Sequence, residues 1–338
     1  MRIHTLLVQV GHEYGLHRMQ LVRKVTTGAL SNNYVVLSGG TRYFLKHYRA
    51  KAKDRIVGIH AAKHFFSAGG IPVILPLPTQ AGSTYFLYEN QAYALFPYMV
   101  GKQVHTARSV SLLQARSLGS TLAKMHLLSS KKLPRIPAPR LPAWTAAHGR
   151  ELQLRFEETA QRILEVIARK RVKNKFDRRA QKLLELKLRL SSNNPRRFNT
   201  QTLGKPHVTH GDYHTGNVFF NARGAVSHVF DFEKFELYPR SLELFRSLYI
   251  SCFNGRFAVE NFKKARTYLD AYRSVYPIPQ EEFAQAVRYS AYRHVYSTWV
   301  EAEHYLHHNT RTDKFLLGDW QSVEYFAEHL ETFIEKVW

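Results

Sequence analysis

The periodicity of this chain changes part-way along, and that change constrains the fold more than any other feature. Between Gln20 and Ala50, "QLVRKVTTGALSNNYVVLSGGTRYFLKHYRA" alternates in the manner of strands. It reads as a strand, a small polar loop, a second strand, a Gly39–Gly40 turn and a third strand ending near Lys46. "IVGIHAAKHFFSAGGIPV" then reads as a helix closed by Gly69 and Gly70, with Pro72 beyond it. "STYFLYENQAYALFPYMVG" supplies two more short strands that meet at Glu89–Asn90. From Val110 the step lengthens: Ala115, Leu118, Leu122 and Met125 recur at intervals of three and four, the spacing of one helix face. Strands followed by helices predict an α+β chain, with an antiparallel-sheet lobe holding one helix and a larger, mostly helical lobe after it. At 338 residues there is room for both, and the expected division is 1–98 and 99–338.

Within the second lobe, "KKLPRIPAPRLPAW" carries four prolines and cannot be helical. A strongly basic helical stretch is expected from about 150 to 190, inside a basic insertion over 131–205. Those 75 residues hold 20 Lys and Arg against 6 Asp and Glu, more than half of the net charge of +23. Such a surplus attracts polyanions and phosphorylated small molecules. It leaves nucleic-acid binding open without pointing to it. The last 90 residues read as helical, and the spacing of Tyr289, Tyr292, Tyr296 and Trp299 is that of a core face. Cys252 is the one cysteine, which excludes an intramolecular disulfide and multi-cysteine zinc patterns and leaves it as a small buried apolar residue. The N-terminus does not read as a signal peptide, and no window approaches the roughly 18 apolar residues of a membrane span. The expectation is a soluble, cytoplasmic protein with no membrane span.

The chemistry concentrates in "HGDYHTGN", residues 210–217, set between "HVT" and a hairpin around Asn221–Gly224. A carboxylate on such a turn, Asp212, can orient an attacking hydroxyl and accept its proton. The Asn217 amide oxygen is a hard ligand suited to Mg²⁺, and Asp231 across the hairpin offers a second. This division of labour is that of phosphoryl transfer. That chemistry also asks for a lysine on a strand of the first lobe and a small-residue loop over the phosphates. Lys46 lies on the third strand, and "TTGALSNN" provides the loop, with Thr27, Gly28, Ser31 and Asn32 as its candidate contacts.

Taken together, these residues resemble the aminoglycoside phosphotransferase and choline kinase branch of the protein-kinase-like fold, nearest its homoserine kinase-like and spore-coat or stress-response members. The branch's catalytic loop runs roughly H-G-D-x-H-x-G-N, and His210, Gly211, Asp212, His214, Gly216 and Asn217 match it, with Thr215 where Pro is common. Asp231-Phe232-Glu233 fits its metal-binding segment, "LGSTLAKMH" its pre-catalytic helix and "FPYMVG" its inter-lobe hinge. The resemblance spans about residues 20–250. It implies a bilobal fold, a kinase that uses ATP and Mg²⁺, and a small-molecule hydroxyl acceptor. It implies Asp212 as base, Asn217 and Asp231 as metal ligands, Lys46 and the 26–33 loop on the phosphates, and the backbone near Phe96 and Tyr98 on the adenine. Trp299, Glu301 and His304 would wall the acceptor pocket, as the basic helix could.

One departure stands out. In this fold the strand lysine pairs with a Glu on the first-lobe helix, but Asp54 is the only acid in 51–88 and His60 stands on the expected face. Another carboxylate, or nucleotide together with Asp231, must hold Lys46. His210 and His214 are expected to shape the loop more than to move protons, and Glu233 to touch metal or substrate or to lie ion-paired. The alternatives are a protein Ser/Thr kinase on the same scaffold and a non-catalytic, polyanion-binding pseudokinase. The strong positive charge argues against aminoglycosides as acceptors and favours a neutral or anionic one. Oligomeric state is not legible.

Overall fold

The computed structural model describes residues 3–25, 33–48, 53–131, 146–192 and 200–338. The first part is built on an antiparallel sheet with strands β1 (Gln20–Val25), β2 (Asn33–Ser38), β3 (Thr41–Tyr48), β4 (Phe86–Tyr88) and β5 (Gln91–Pro97), ordered β1-β2-β3-β5-β4. Two helices flank it, α1 (Ile3–Tyr14) and α2 (Lys53–Ala68). The sequence led us to expect one. Leu6, Leu7 and Val10 of α1 pack against Tyr34, Val36, Leu45, Tyr93 and Leu95 on one face of the sheet. On the other face Tyr48, Ala92, Ala94 and Phe96 meet Ile56, Ile59, Ala62 and Phe66 of α2. Successive strand residues point to opposite faces, so Lys46 shares the α2 face with Tyr48 and pairs with Ala94 of β5. Glu89 and Asn90, both in the left-handed region, form the β4–β5 turn where it was expected.

The remainder is mostly helical: α3 (Leu112–Lys131), α4 (Ala146–Ala168), α5 (Lys175–Ser192), α6 (Arg240–Cys252), α7 (Val259–Val275), α8 (Gln280–Val295), α9 (Trp299–Tyr305) and α10 (Leu316–Val337). Two short ladders lie among them: β6 (Pro206–Thr209) with β9 (Glu236–Pro239), and β7 (Val218–Phe220) with β8 (Val226–Val229). The apolar stripe of α3 buries Ala115, Leu118, Leu122 and Met125, and Tyr289, Tyr292 and Tyr296 of the aromatic spacing are buried as well.

The basic stretch proves to be two helices, α4 and α5, rather than one. Phe156, Ala160, Ile163 and Ile167 of α4 and Ala180, Leu183 and Leu184 of α5 form a second core with Tyr292, Tyr296, Val300 and Tyr305. Cys252 is buried. No helix among the described residues is long and apolar enough to cross a membrane.

The sheet is stitched to the helical part by backbone. Val229 N donates to Pro72 O at 2.7 Å, and Ile74 N donates to Val229 O at 3.0 Å. Lys102 and Phe220 exchange two more such bonds. The segments that follow α2 and β5 are thereby held against the hairpin that follows the octapeptide.

Candidate active site

The octapeptide runs from the end of β6 through a tight turn into β7. His210 Nε2 meets Phe230 O at 2.8 Å. A carbonyl only accepts, so this nitrogen carries the proton, and Nδ1 is left to accept from Asp212 N at 3.2 Å. Behind the loop, the buried carboxylate of Glu243 on α6 accepts from His210 N at 3.1 Å and from Gly211 N, and contacts His126 Nε2 at 2.9 Å. Gly211 has φ +78°, and a Cβ there would lie 1.8 Å from Lys234 O, so only glycine fits. His214 Nδ1 accepts from Gly216 N at 3.0 Å. Both histidines shape backbone.

Asp212 is thus aimed outward, where three groups meet it: Arg246 Nη2 at 2.7 Å from Oδ1, Lys234 Nζ at 3.0 Å from Oδ2, and His214 Nε2 at 3.9 Å. Burial alone would raise its pKa, but Arg246 and Lys234 outweigh that and hold the carboxyl well below the usual range.

Lys46 reaches the same seam from the sheet. Its Nζ lies 2.7 Å from Asp231 Oδ1 and 2.7 Å from Glu233 Oε1. Burial pulls its pKa down, yet the two carboxylates more than reverse this and keep it charged. The missing helix acid is therefore replaced by Glu233. His60 does not take that role: its ring bonds Tyr48 OH at 2.8 Å and Thr84 Oγ1 at 2.7 Å. A second buried lysine, Lys63 on α2, donates to Ile74 O at 3.0 Å and lies over the Phe96 ring at 4.6 Å. Burial, then Lys46, pushes it down to about 7.

Asn217 and Asp231 are brought together by the β7–β8 hairpin, where Phe230 N donates to Asn217 O at 3.0 Å. Asn217 Nδ2 donates to Asp212 O at 2.8 Å. That fixes the amide orientation and turns Oδ1 away as an available acceptor. Asp231, at φ +66°, gives one carboxylate oxygen to Lys46. An amide oxygen and a second carboxylate oxygen on adjacent elements form a hard donor set that fits Mg²⁺. Among the described residues no cluster of three or more His, Cys, Asp and Glu suits a metal, so this mixed pair is the candidate.

Thr27, Gly28, Ser31 and Asn32 lie outside the described residues; Val25 and Asn33, which flank them, pair across β1 and β2. The Phe96 side chain is buried beneath Lys63, while Tyr98 is half-buried. The expected acceptor wall needs correction at Glu301. Glu301 is fully buried against Lys187, 3.5 Å away, and His304 pairs with Asp313 at 2.9 Å. Of the three, only Trp299 remains exposed. Sequence reasoning missed Glu243, Arg246, Lys234 and Lys63, none of which sits in a recognisable local pattern.

Comparison with known proteins gives the family and the fold. The model of the phosphotransferase enzyme family matches residues 22–278. The chain belongs to that family. Homoserine kinase of Methylobacillus glycogenes is 23% identical over 289 residues, which cover 80% of this chain and 76% of that protein. Among solved structures, the microcompartment-associated aminopropanol kinase superposes with a TM-score of 0.64 at 14% identity, over 97% of this chain and 98% of that one. Amicoumacin kinase hAmiN, in complex with AMP-PNP, Ca²⁺ and Ami, gives 0.61 at 16% identity, over 93% and 94%. The α+β, protein-kinase-like architecture is shared with these phosphotransferases.

The site also sets an acid limit on stability. Burial pushes His60 and His126 down to about 3 and His207 down to about 4. All three are neutral in the fold at pH 5, whereas in the unfolded chain they take up protons below about 6.5. Glu243, which burial pushes up to about 7, keeps a proton that the unfolded chain has lost above about 4.3, and this offsets one of the three. On balance the unfolded state binds more protons, so this stability is present above about pH 6.5 and declines towards pH 4. The urea midpoint is expected to be clearly lower at pH 5 than at pH 7, and equal midpoints would refute the neutral-histidine reading.

Proposed function

We propose that this phosphotransferase is an ATP- and Mg²⁺-dependent kinase that moves the γ-phosphoryl group to a hydroxyl of a small-molecule acceptor. One observation carries the reading: Lys46 from the sheet meets Asp231 and Glu233 beside the loop that aims Asp212. Residues 1–98 would bind the nucleotide, and 99–338 would supply catalysis and acceptor binding. The nucleotide analogue named with the amicoumacin kinase, and the homoserine and aminopropanol named for the other two relatives, support nucleotide use and a small hydroxyl acceptor. The net charge of +23 favours a neutral or anionic acceptor over a polycation. The use of ATP proposed here and the single cysteine, Cys252, favour work in the cytoplasm.

Asp212 would orient the acceptor hydroxyl and take its proton as the oxygen–phosphorus bond forms and the bond to the leaving ADP breaks. Asn217 and Asp231 would hold Mg²⁺, which when bound neutralises charge on the triphosphate. Lys46 would pair with the phosphates, and the backbones of the 26–33 loop and of Phe96–Tyr98 would hold the rest of the nucleotide. Between turnovers Asp231 and Glu233 keep Lys46 charged and in place.

The decisive experiment offers Mg·ATP and a panel of hydroxyl metabolites to the protein and follows ADP release. Release with no compound, under conditions where ATP binds, would reject the kinase reading. In the same assay Lys46→Met is expected to lower kcat/KM for ATP about 10- to 100-fold, the loss of one charge-assisted contact. Unchanged kcat/KM for ATP would remove Lys46 from the phosphates.

A further inference from the structure

Lys234 and Arg246 belong to neither the nucleotide side of the site nor the core. Lys234 lies just before β9 and Arg246 on α6, and their side chains remain 60% and 47% exposed. Each nevertheless ends on a different oxygen of Asp212, at 3.0 and 2.7 Å. Exposed lysine and arginine side chains lose conformational entropy when held in one geometry, and surface pairs gain little in return. More telling is what they pair with. A hydroxyl approaching either oxygen of Asp212 must come within about 2.7 Å to hydrogen-bond, and there it meets a cation already in place on that oxygen. Two acids lie within electrostatic reach of Arg246: Glu236, which Arg55 reaches as well, and Glu243, which is buried and accepts from His210 N and Gly211 N. Arg293 on α8 is exposed, and both it and Arg246 lie within electrostatic reach of Tyr238.

We propose that Lys234 and Arg246 form the acceptor's anion-binding subsite. A carboxylate or phosphate on the acceptor draws the two cations off Asp212, and the acceptor's hydroxyl takes their place on the freed oxygen. The substrate class is then a small hydroxyl compound that carries a negative group within a few bonds of the reacting hydroxyl. This rests on the kinase function proposed above. It also explains how a carboxylate capped by two cations still serves as the orienting group: the correct acceptor uncaps it. Cationic amino alcohols would gain nothing from such a subsite and would be repelled by it.

A matched three-carbon set tests this with Mg·ATP: glycerol, glycerate, glycerol 3-phosphate and 3-amino-1,2-propanediol, each followed by ADP release. Glycerate or glycerol 3-phosphate is expected to exceed glycerol in kcat/KM by about tenfold or more, with the amine last; the better of the two names the anionic group. In Arg246→Gln and Lys234→Gln the ratio of acidic to neutral acceptor is expected to collapse towards one, mainly through KM of the acidic acceptor. Arg246→Lys should restore much of it. Glycerol or the amine preferred over both acids would overturn the inference and leave the kinase function standing. So would an equal fall for every acceptor in the variants, which would assign the two cations to the transferring phosphoryl group. ADP release with no member of this set or of the wider panel would remove the kinase reading itself, and this inference with it.

Discussion

Replacing Asp212 with Asn is expected to slow phosphoryl transfer about 10²- to 10⁴-fold while leaving the affinity for ATP nearly unchanged. The substitution keeps the shape of the side chain and removes only the charge and the proton-accepting oxygen. The backbone that aims this position is held independently, by His210 Nδ1 on Asp212 N and by Asn217 on Asp212 O, so the loop should not move. The partners left behind, Lys234 and Arg246, are exposed and can turn to solvent, so stability should change by less than about 1 kcal/mol. Two measurements separate the outcomes: initial rates of ADP release with the best acceptor, and calorimetric titration of the variant with nucleotide. Turnover within a few-fold of the parent would remove Asp212 from the base role. Loss of nucleotide binding together with turnover would show that the variant disturbed the Asn217–Asp231 side of the site instead.

The reach of the sequence follows the range of the interactions involved. The strand alternation that places Lys46 on one face of β3 is local, and so are the glycine turns and the α3 stripe; all were legible. Asp231, Phe232 and Glu233 could be quoted as a motif, but nothing in the chain said that Glu233 would replace the missing helix acid. Lys46 and Glu233 lie nearly two hundred positions apart, and long-range contacts such as the Val73–Val229 bridge and the Arg55 bond to Glu233 O bring them together. α1 was passed over because Ile3, Leu6, Leu7 and Val10 form a short stripe mixed with β-branched residues and Gly11, which lowers intrinsic helix preference; packing on the sheet compensates. The reading of Glu301 as a pocket wall failed for a related reason. Among the described residues its close cation is Lys187 of α5, and burial of that pair depends on how α4 and α5 fold onto α9 and α10.

Glu243 is the clearest case of a residue that local pattern cannot reveal, and its removal should have the largest effect on folding. It looks like one acid in the ordinary helix "RSLELFRSLYISC". In the structure it is almost wholly buried, and its two oxygens accept the backbone N–H groups of His210 and Gly211 and face His126 Nε2, which is itself joined to Tyr272 at 2.8 Å. Glu243→Ala would leave two buried backbone donors and a buried imidazole without their partner. At about 1–3 kcal/mol for each stranded group, the loss is expected to reach about 3 kcal/mol or more, a large share of the 5–15 kcal/mol typical of a folded domain. Glu243→Gln keeps one acceptor oxygen but turns an NH₂ towards a second donor, so it should fall between the parent and the alanine variant. Because two of these groups, His210 N and Gly211 N, belong to the loop that carries Asp212, Gln at this position should lower kcat even where the protein remains folded, with KM for ATP little affected. Urea denaturation gives the order parent, Gln, Ala, and steady-state rates on the folded Gln variant test the link to the loop. A Gln variant that is destabilised yet turns over at the parental kcat would confine Glu243 to folding and detach it from the aim of Asp212.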